Sequence, residues 1–270
     1  MTSQPTTSCR RFVGKVALVT ASTAGIGLAT AERLLQEGAT VIICSRSQAN
    51  VDAALASLRS RGHAAAVSGV AANINTPTGV DTALAAVAAA VPDRARAGGP
   101  FLDVLVSNAA ANPVAGPALA APDSAVAKVL DANIAAHLRL VRAAVPVLTK
   151  GAAVVLVASI TAFRPELAPI SLYAVSKTGL VALSRVLATE LAPRGVRVNC
   201  VAPGTVATKF ASALVGSESA REEAEGRTLL GRLGSAAEIA AAIAFLASPD
   251  ASYVVGETLA VAGGMIAGRL

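Results

Sequence analysis

Short runs of Val, Ile and Leu alternate along the chain with longer Ala- and Leu-rich stretches of helical length. The runs at Lys15–Thr20, Thr40–Cys44, Ala64–Ser68, Leu102–Ser107, Ala152–Ser159 and Val196–Val201 predict strands, and a last strand is expected near Thr258–Val261. Helices are expected over Gly25–Glu37, Gln48–Arg61, Thr78–Val91, Ser124–Leu148, Tyr173–Leu191 and Ala236–Ala247. The runs are apolar at nearly every position, as strands covered on both faces must be. Strictly alternating strands and helices imply right-handed crossovers and a parallel sheet. The fold class is therefore α/β: one doubly wound, seven-stranded parallel sheet with helices on both faces. No break in composition marks a second domain, so residues 13–270 form one unit behind a leader at 1–12, which is Ser/Thr-rich and carries Arg10 and Arg11. The polar stretch at about 206–227, just past a strand end, reads as a substrate lid.

Composition narrows the function. The 270 residues are 54% hydrophobic and only 15% charged, too apolar for a disordered chain. The net charge of +6 suggests nucleic acid until the basic residues are placed; they are scattered, aromatics are 3% and Trp is absent. Electrostatic binding needs a clustered patch, so no nucleic-acid partner is expected. Apolar stretches fall short of the ~18–20 residues that span a bilayer, so no membrane partner is expected. Cys9, Cys44 and Cys200 have neither disulfide nor metal spacing. His63 and His137 lie far apart without ligand neighbours, so no metal is expected.

After the first strand comes Thr20-Ala21-Ser22-Thr23-Ala24-Gly25-Ile26-Gly27. A tight turn into a helix points backbone N–H groups at one spot and favours an anion there, typically a dinucleotide pyrophosphate in a Rossmann fold. Ser22 and Thr23 can add hydroxyl donors. On its own the signal is weak, because tight corners of small residues are common and Ala21 occupies the place of the first glycine of the strict fingerprint. The second strand then ends Cys44-Ser45-Arg46, where an NAD-binding fold carries an acid for the ribose 2′-hydroxyl. Ser45 and Arg46 suit a 2′-phosphate instead, which points to NADP(H); the alternative is a solvated loop cation.

The segment Tyr173-Ala174-Val175-Ser176-Lys177 places a phenol and an ammonium on one helix face. A free Tyr has pKa ~10, and a nearby Lys⁺ is expected to lower it toward the working range. Ser159, fourteen residues earlier, ends an apolar strand at the same sheet edge and can hold a carbonyl oxygen. Asn133 falls in mid-helix, where Asn is unfavourable unless it has a task; a buried water-binding or helix-distorting role fits.

On these residues the chain resembles a short-chain dehydrogenase/reductase over about residues 13–265. The motifs are the Thr20–Gly27 turn, Ser107-Asn108-Ala109-Ala110, Asn133, Ser159, Tyr173 with Lys177, and Arg197-Val198-Asn199. Further along come Pro203-Gly204 with Thr208, Gly231-Arg232-Leu233-Gly234 and Gly256-Glu257-Thr258. The resemblance implies that Tyr173 is the proton donor in reduction, that Lys177 lowers its pKa and holds the nicotinamide ribose, that Ser159 binds the carbonyl oxygen and that Asn133 anchors a relay water. It implies further that Asn108 holds the central sheet near the cofactor, and that Pro203, Gly204, Val206 and Thr208 line the nicotinamide carboxamide. Cofactor-binding residues are then Ser22, Thr23, Gly25, Ile26, Ser45, Arg46, Asn73, Ile74, Asn108, Ala109, Ala110, Tyr173, Lys177, Pro203, Gly204, Val206 and Thr208. Three positions depart from the family: Ala21 and Ala110 stand for glycines, and Asn73 stands for an acid. An Ala forced to φ > 0 costs ~1 kcal/mol, so Ala21 and Ala110 are expected to keep φ < 0.

The Thr-Ala-Ser-Thr turn, Ser45-Arg46 and Ser107–Pro113 are similar to the peroxisomal NADPH-dependent carbonyl reductase/retinol dehydrogenase branch. That resemblance implies reduction of ketones and aldehydes, a homotetramer or dimer, and a cytoplasmic or peroxisome-like location. The end Gly268-Arg269-Leu270 is a weak peroxisomal address. The alternative substrate is a 3-oxoacyl thioester, since every motif above is shared. Phe163, Leu167, Ile170, Phe210 and Leu214 are expected as apolar pocket walls, with Arg164 and Lys209 as cations that could meet an anionic substrate.

Overall fold

The computed structural model describes residues 10–112, 116–165, 170–208 and 217–265. The apolar runs form β1 (Val16–Thr20), β2 (Thr40–Ser45), β3 (Val67–Ala71), β4 (Leu102–Ser107), β5 (Leu148–Val157), β6 (Arg197–Pro203) and β7 (Thr258–Val261). All pair in parallel, in the order β3-β2-β1-β4-β5-β6-β7. The helices are α1 (Gly25–Gln36), α2 (Gln48–Leu58), α3 (Pro77–Ala90), α4 (Pro92–Arg96), α5 (Asp123–Leu130), α6 (Ala136–Ala144), α7 (Ser171–Leu191), α8 (Glu218–Gly226) and α9 (Ala236–Ala247).

Strand side chains alternate between two cores, because successive residues point to opposite faces. Val16, Leu18, Ile42, Val154 and Leu156 pack with Leu140 of α6 and Leu180 of α7. Ala17, Val19, Ile43, Val104 and Val155 pack with Leu34 of α1, Val51 of α2 and Ile243 of α9. Each fully buried Val, Leu or Ile contributes ~1.5–3 kcal/mol of transfer free energy, so the layers are held from both faces. The order reverses beside β1: the chain builds outward to β3, then crosses back to β4. The crevice beyond the C-terminal ends of β1 and β4 is where such sheets bind ligands. No described helix is long and apolar enough to cross a membrane, and the described residues hold no cluster of metal-ligating side chains.

Two expected elements are corrected. The third strand starts at Val67, not Ala64, because α2 runs on through a wide turn at Arg59–His63. Gly62 reverses the chain there at φ 94°, where only glycine is unstrained. The helix expected over Ser124–Leu148 is α5 and α6 joined by a π-turn at Asp131–Ala135. It ends at Pro146 in a short 3₁₀ turn, and Leu148 already pairs with Leu102 in the sheet. Pro146 has no N–H to continue a helix, and a π-turn inserts where a side chain has a local use for the backbone.

Candidate active site

The turn after β1 is built around one contact that excludes any side chain. A Cβ on Gly27 would lie 2.3 Å from the Ala21 carbonyl oxygen and 2.7 Å from Asn108 Nδ2. That packing brings the start of α1 onto β4, where Asn108 donates through Nδ2 to the Thr20 and Ala21 carbonyls, and its own N–H donates to Thr20 Oγ1 at 3.0 Å. No side chain caps the N-terminus of α1 at Ala24. Its N–H groups therefore face the crevice with a partial positive charge and no internal acceptor. Ser22 is fully buried, donates to the Val19 carbonyl at 2.6 Å and accepts from Cys44 N at 2.8 Å. Its hydroxyl ties β1 to β2, so it is not the anion donor that the sequence suggested.

Ala21 is a second correction. It adopts φ 48°, the one positive φ among described non-glycine residues, whereas Ala110 keeps an ordinary backbone. The turn demands this conformation because the flanking Asn108 and Gly27 contacts fix both sides. Ala21→Gly is expected to relieve ~1–2 kcal/mol of left-handed strain, less ~0.5–1 kcal/mol of added chain entropy, and so to stabilise the protein by roughly 0–1.5 kcal/mol. Urea unfolding measures it, and a lowered midpoint would contradict that account.

Two cavities open at this edge and share Ala21, Ala24 and Ala110. The smaller, about 160 Å³, is walled by Thr23, Ser45, Arg46, Asn73, Ile74 and Ala109. Arg46 is exposed at its rim, and no acid lines it among the described residues. The larger, about 310 Å³, reaches from Gly25, Ile26 and Asn108 to Ser159, Tyr173 and Lys177, with Pro203, Gly204, Val206 and Thr208 opposite. Thr208 is carried within 3.2 Å of where a Cβ on Gly25 would be. A bridge from Val206 to Gly234, with Gly234 N donating to the Thr205 carbonyl at 3.0 Å, fixes the strand-end loop there. The two cavities adjoin at these shared walls, with Arg46 at the rim of the smaller and the uncapped α1 terminus at Ala24 common to both. An extended ligand carrying a pyrophosphate and an outer phosphate fits that donor set.

At the inner end, Ser159 caps a 3₁₀ turn (Ile160–Ala162), and its hydroxyl hydrogen-bonds with the Tyr173 phenol. Lys177 is fully buried, and its ammonium donates to the Val157 carbonyl at 2.8 Å and lies 5.5 Å from the Tyr173 ring centre. The sequence expectation of a lowered Tyr173 pKa is overturned. Burial drives the phenol well above its ordinary value, and the Ser159 hydrogen bond opposes this only in part. Burial also pulls the Lys177 ammonium down to about 8. Since the folded protein releases that proton more readily than the unfolded chain, stability rises with pH between about 8 and the ordinary 10.5. Lys177→Met is therefore expected to raise Tm at pH 7, with the gap closing as pH passes through that window. A variant less stable than the wild type at pH 7 would contradict the cost assigned to this charge.

Asn133 lies in the π-turn and is fully buried. It accepts from Ala111 N at 2.7 Å and donates to the Ala111 carbonyl and to Ser176 Oγ, each at 2.9 Å. Ser176 in turn donates to the Tyr173 carbonyl at 2.7 Å. The Asn133 side chain thus distorts its helix and clamps the loop after β4 to α7. His137, one turn on, adds what the sequence did not show. It is fully buried between Ser107 Oγ, at 2.7 Å, and the Ala109 carbonyl, at 3.0 Å. Burial, with the Lys177 charge nearby, pushes it down to about 3, so it stays neutral. Its spacing of four from Asn133 was the available signal. Cys44 and Cys200 are buried thiols, each pushed by burial to about 11.

Other expected pieces divide. Ile170 lines the larger cavity, whereas Phe163 and Arg164 do not. Arg197 caps the end of α9 through the Leu246 and Ser248 carbonyls, and Asn199 ties Val254 to Glu257, so both are structural. The expectations on Cys9, most of the leader, Pro113, Leu167, Lys209, Phe210, Leu214 and Gly268-Arg269-Leu270 fall outside the described residues.

Comparison with known proteins agrees with this geometry. A family model described as Enoyl-(Acyl carrier protein) reductase matches residues 20–266. The chain is 46% identical to "Tropinone reductase-like 3" of Erythroxylum coca over 259 residues, 94% of either chain. It is 44% identical to "Dehydrogenase/reductase SDR family member 4" of Homo sapiens over 256 residues, 94% of this chain and 88% of that one. Among solved structures it is similar to a short chain dehydrogenase from Burkholderia cenocepacia J2315 in complex with NADP. There the TM-score is 0.82 and the identity 32%, over 94% of this chain and 99% of that one. The fold, the motifs in order and these likenesses agree: the chain belongs to the short-chain dehydrogenase/reductase family of oxidoreductases.

Proposed function

We propose that the protein is an NADPH-dependent carbonyl reductase, reversible as an alcohol dehydrogenase, acting on small apolar ketones and aldehydes. The observation that carries the reading is the meeting of Ser159, Tyr173 and Lys177 on one wall of a cavity in which Lys177 is the one charged side chain among the described lining residues. The uncapped α1 terminus would hold the pyrophosphate, Ser45 and Arg46 the 2′-phosphate, Asn73 and Ile74 the adenine end, and Pro203, Gly204, Val206 and Thr208 the nicotinamide end. The bound cofactor supplies a hydride.

The chain's own residues do the rest. Ser159 donates a hydrogen bond to the substrate carbonyl oxygen and fixes it beside Tyr173. The raised phenol pKa keeps Tyr173 protonated at neutral pH, so it is ready to give its proton to that oxygen as charge develops there. The Lys177 ammonium stabilises the phenolate left behind and reaches the nicotinamide ribose. Asn133, through Ser176 and Ala111, keeps the Tyr173 helix and the β4 loop in register. The protein would assemble as a homotetramer or dimer and work in the cytosol or a peroxisome-like organelle.

An NADPH-oxidation screen over aromatic ketones, α-dicarbonyls, retinal and acetoacetyl thioesters tests the reading. Turnover of the ketones is expected. Turnover of the thioesters alone would replace this reading with the 3-oxoacyl-thioester reductase.

A further inference from the structure

We propose that Thr161 is a positioning residue that forces Ser159 to act as a hydrogen-bond donor, toward the Tyr173 phenol in the free site and toward the carbonyl oxygen once substrate is bound. The inference rests on the reading above of Ser159 and Tyr173. A serine hydroxyl has one proton and two acceptor lone pairs. Thr161 supplies donors to both lone pairs: its backbone N–H reaches Ser159 Oγ at 3.2 Å and its own hydroxyl donates to the same atom at 3.0 Å. Both come from one residue, locked two positions on by the 3₁₀ turn that Ser159 caps. With its acceptor capacity filled, Ser159 has only its proton left to offer, and the neighbour that remains is the Tyr173 phenol.

A serine free to rotate would as readily accept from the phenol as donate to it. Acceptance would hold the transferable proton and favour the neutral phenol. Donation favours the phenolate that exists after proton transfer and polarises a carbonyl placed beside it. Among the described residues, the charged or titratable groups around the phenol are Lys177 on its own helix and, next to Lys177, His137 from α6 and Cys200 from β6. His137 is neutral and Cys200 a thiol, so neither supplies a charge that would do this job. Thr161 is half-buried in the cavity wall, which lets its hydroxyl be removed without opening the core.

The test compares Thr161→Val, Thr161→Ala and Thr161→Ser with the wild type. Three quantities are read: kcat for ketone reduction, the rising limb of the pH profile for alcohol oxidation, and the NADPH Kd from cofactor fluorescence. Val and Ala keep the backbone donor and lose the hydroxyl. Each is expected to lower kcat about tenfold and to move the rising limb up by roughly half to one pH unit, the scale of one hydrogen bond. The NADPH Kd is expected to stay unchanged, and Ser to restore both kcat and limb. Wild-type kcat and limb in Thr161→Val would overturn the proposal, as would a Thr161→Ser variant no better than Thr161→Ala. A loss of rate with an unmoved limb, or a loss of NADPH binding in both Val and Ala, would assign Thr161 to packing and overturn it equally. Failure of the parent reading looks different: Tyr173→Phe would then keep wild-type reductase activity.

Discussion

Tyr173→Phe is expected to lower NADPH-dependent ketone reduction by about 10²–10⁴-fold, the usual worth of a positioned general acid. The substitution removes one oxygen from a ring that is otherwise buried apolar surface, so the fold and the NADPH Kd should be unaffected. Among the described residues nothing nearby can take over the role. The aliphatic hydroxyl of Ser159 is a weaker acid than a phenol in the same buried site, and Lys177 points its ammonium at the Val157 carbonyl. The pH behaviour adds a second signature. Burial holds the wild-type phenol protonated, so reduction should stay flat through neutral pH while alcohol oxidation, which needs the phenolate, climbs with pH. Steady-state rates in both directions check this, and a Phe variant that keeps wild-type reductase rates would remove Tyr173 as the proton donor.

What the sequence could show was whatever one residue type forces locally. The strands were legible because a sheet covered on both faces leaves nowhere for polar residues, and Tyr173, Lys177 and Ser159 because their spacing puts them at one edge of that sheet. Less legible was anything decided by three-dimensional surroundings. Ser22 reads as a phosphate donor until its burial against Val19 and Cys44 is seen. The Tyr173–Lys177 pair reads as a lowered phenol until burial, which opposes charge on both groups, is weighed. Ala21 reads as unstrained until Asn108 and Gly27 are found to fix its turn. The break at Asp131–Ala135 was hinted at by Asn133 alone, because a π-turn leaves the hydrophobic period almost intact.

Arg46→Asp is expected to weaken NADPH binding by about 10–10²-fold through loss of a charge-assisted contact of ~1.5–3 kcal/mol, and by more once carboxylate–phosphate repulsion is added. The NADH Kd should change little or improve, because a carboxylate at the end of β2 is the group that accepts the 2′-hydroxyl of NAD. The geometry makes this substitution informative. Arg46 is exposed at the rim of the smaller cavity, on a turn whose shape is set by Ser22 and the β1–β2 pairing rather than by its own side chain. The backbone should therefore survive, and the change in cofactor ratio reports on charge alone. Ser45 and Asn73 remain as neutral neighbours, so the variant keeps a hydrogen-bonding wall while reversing the sign at its rim. Isothermal titration with both cofactors decides the matter: an equal loss for NADPH and NADH would mean that Arg46 shapes the crevice without reading the phosphate, and the preference would have to be sought in another residue.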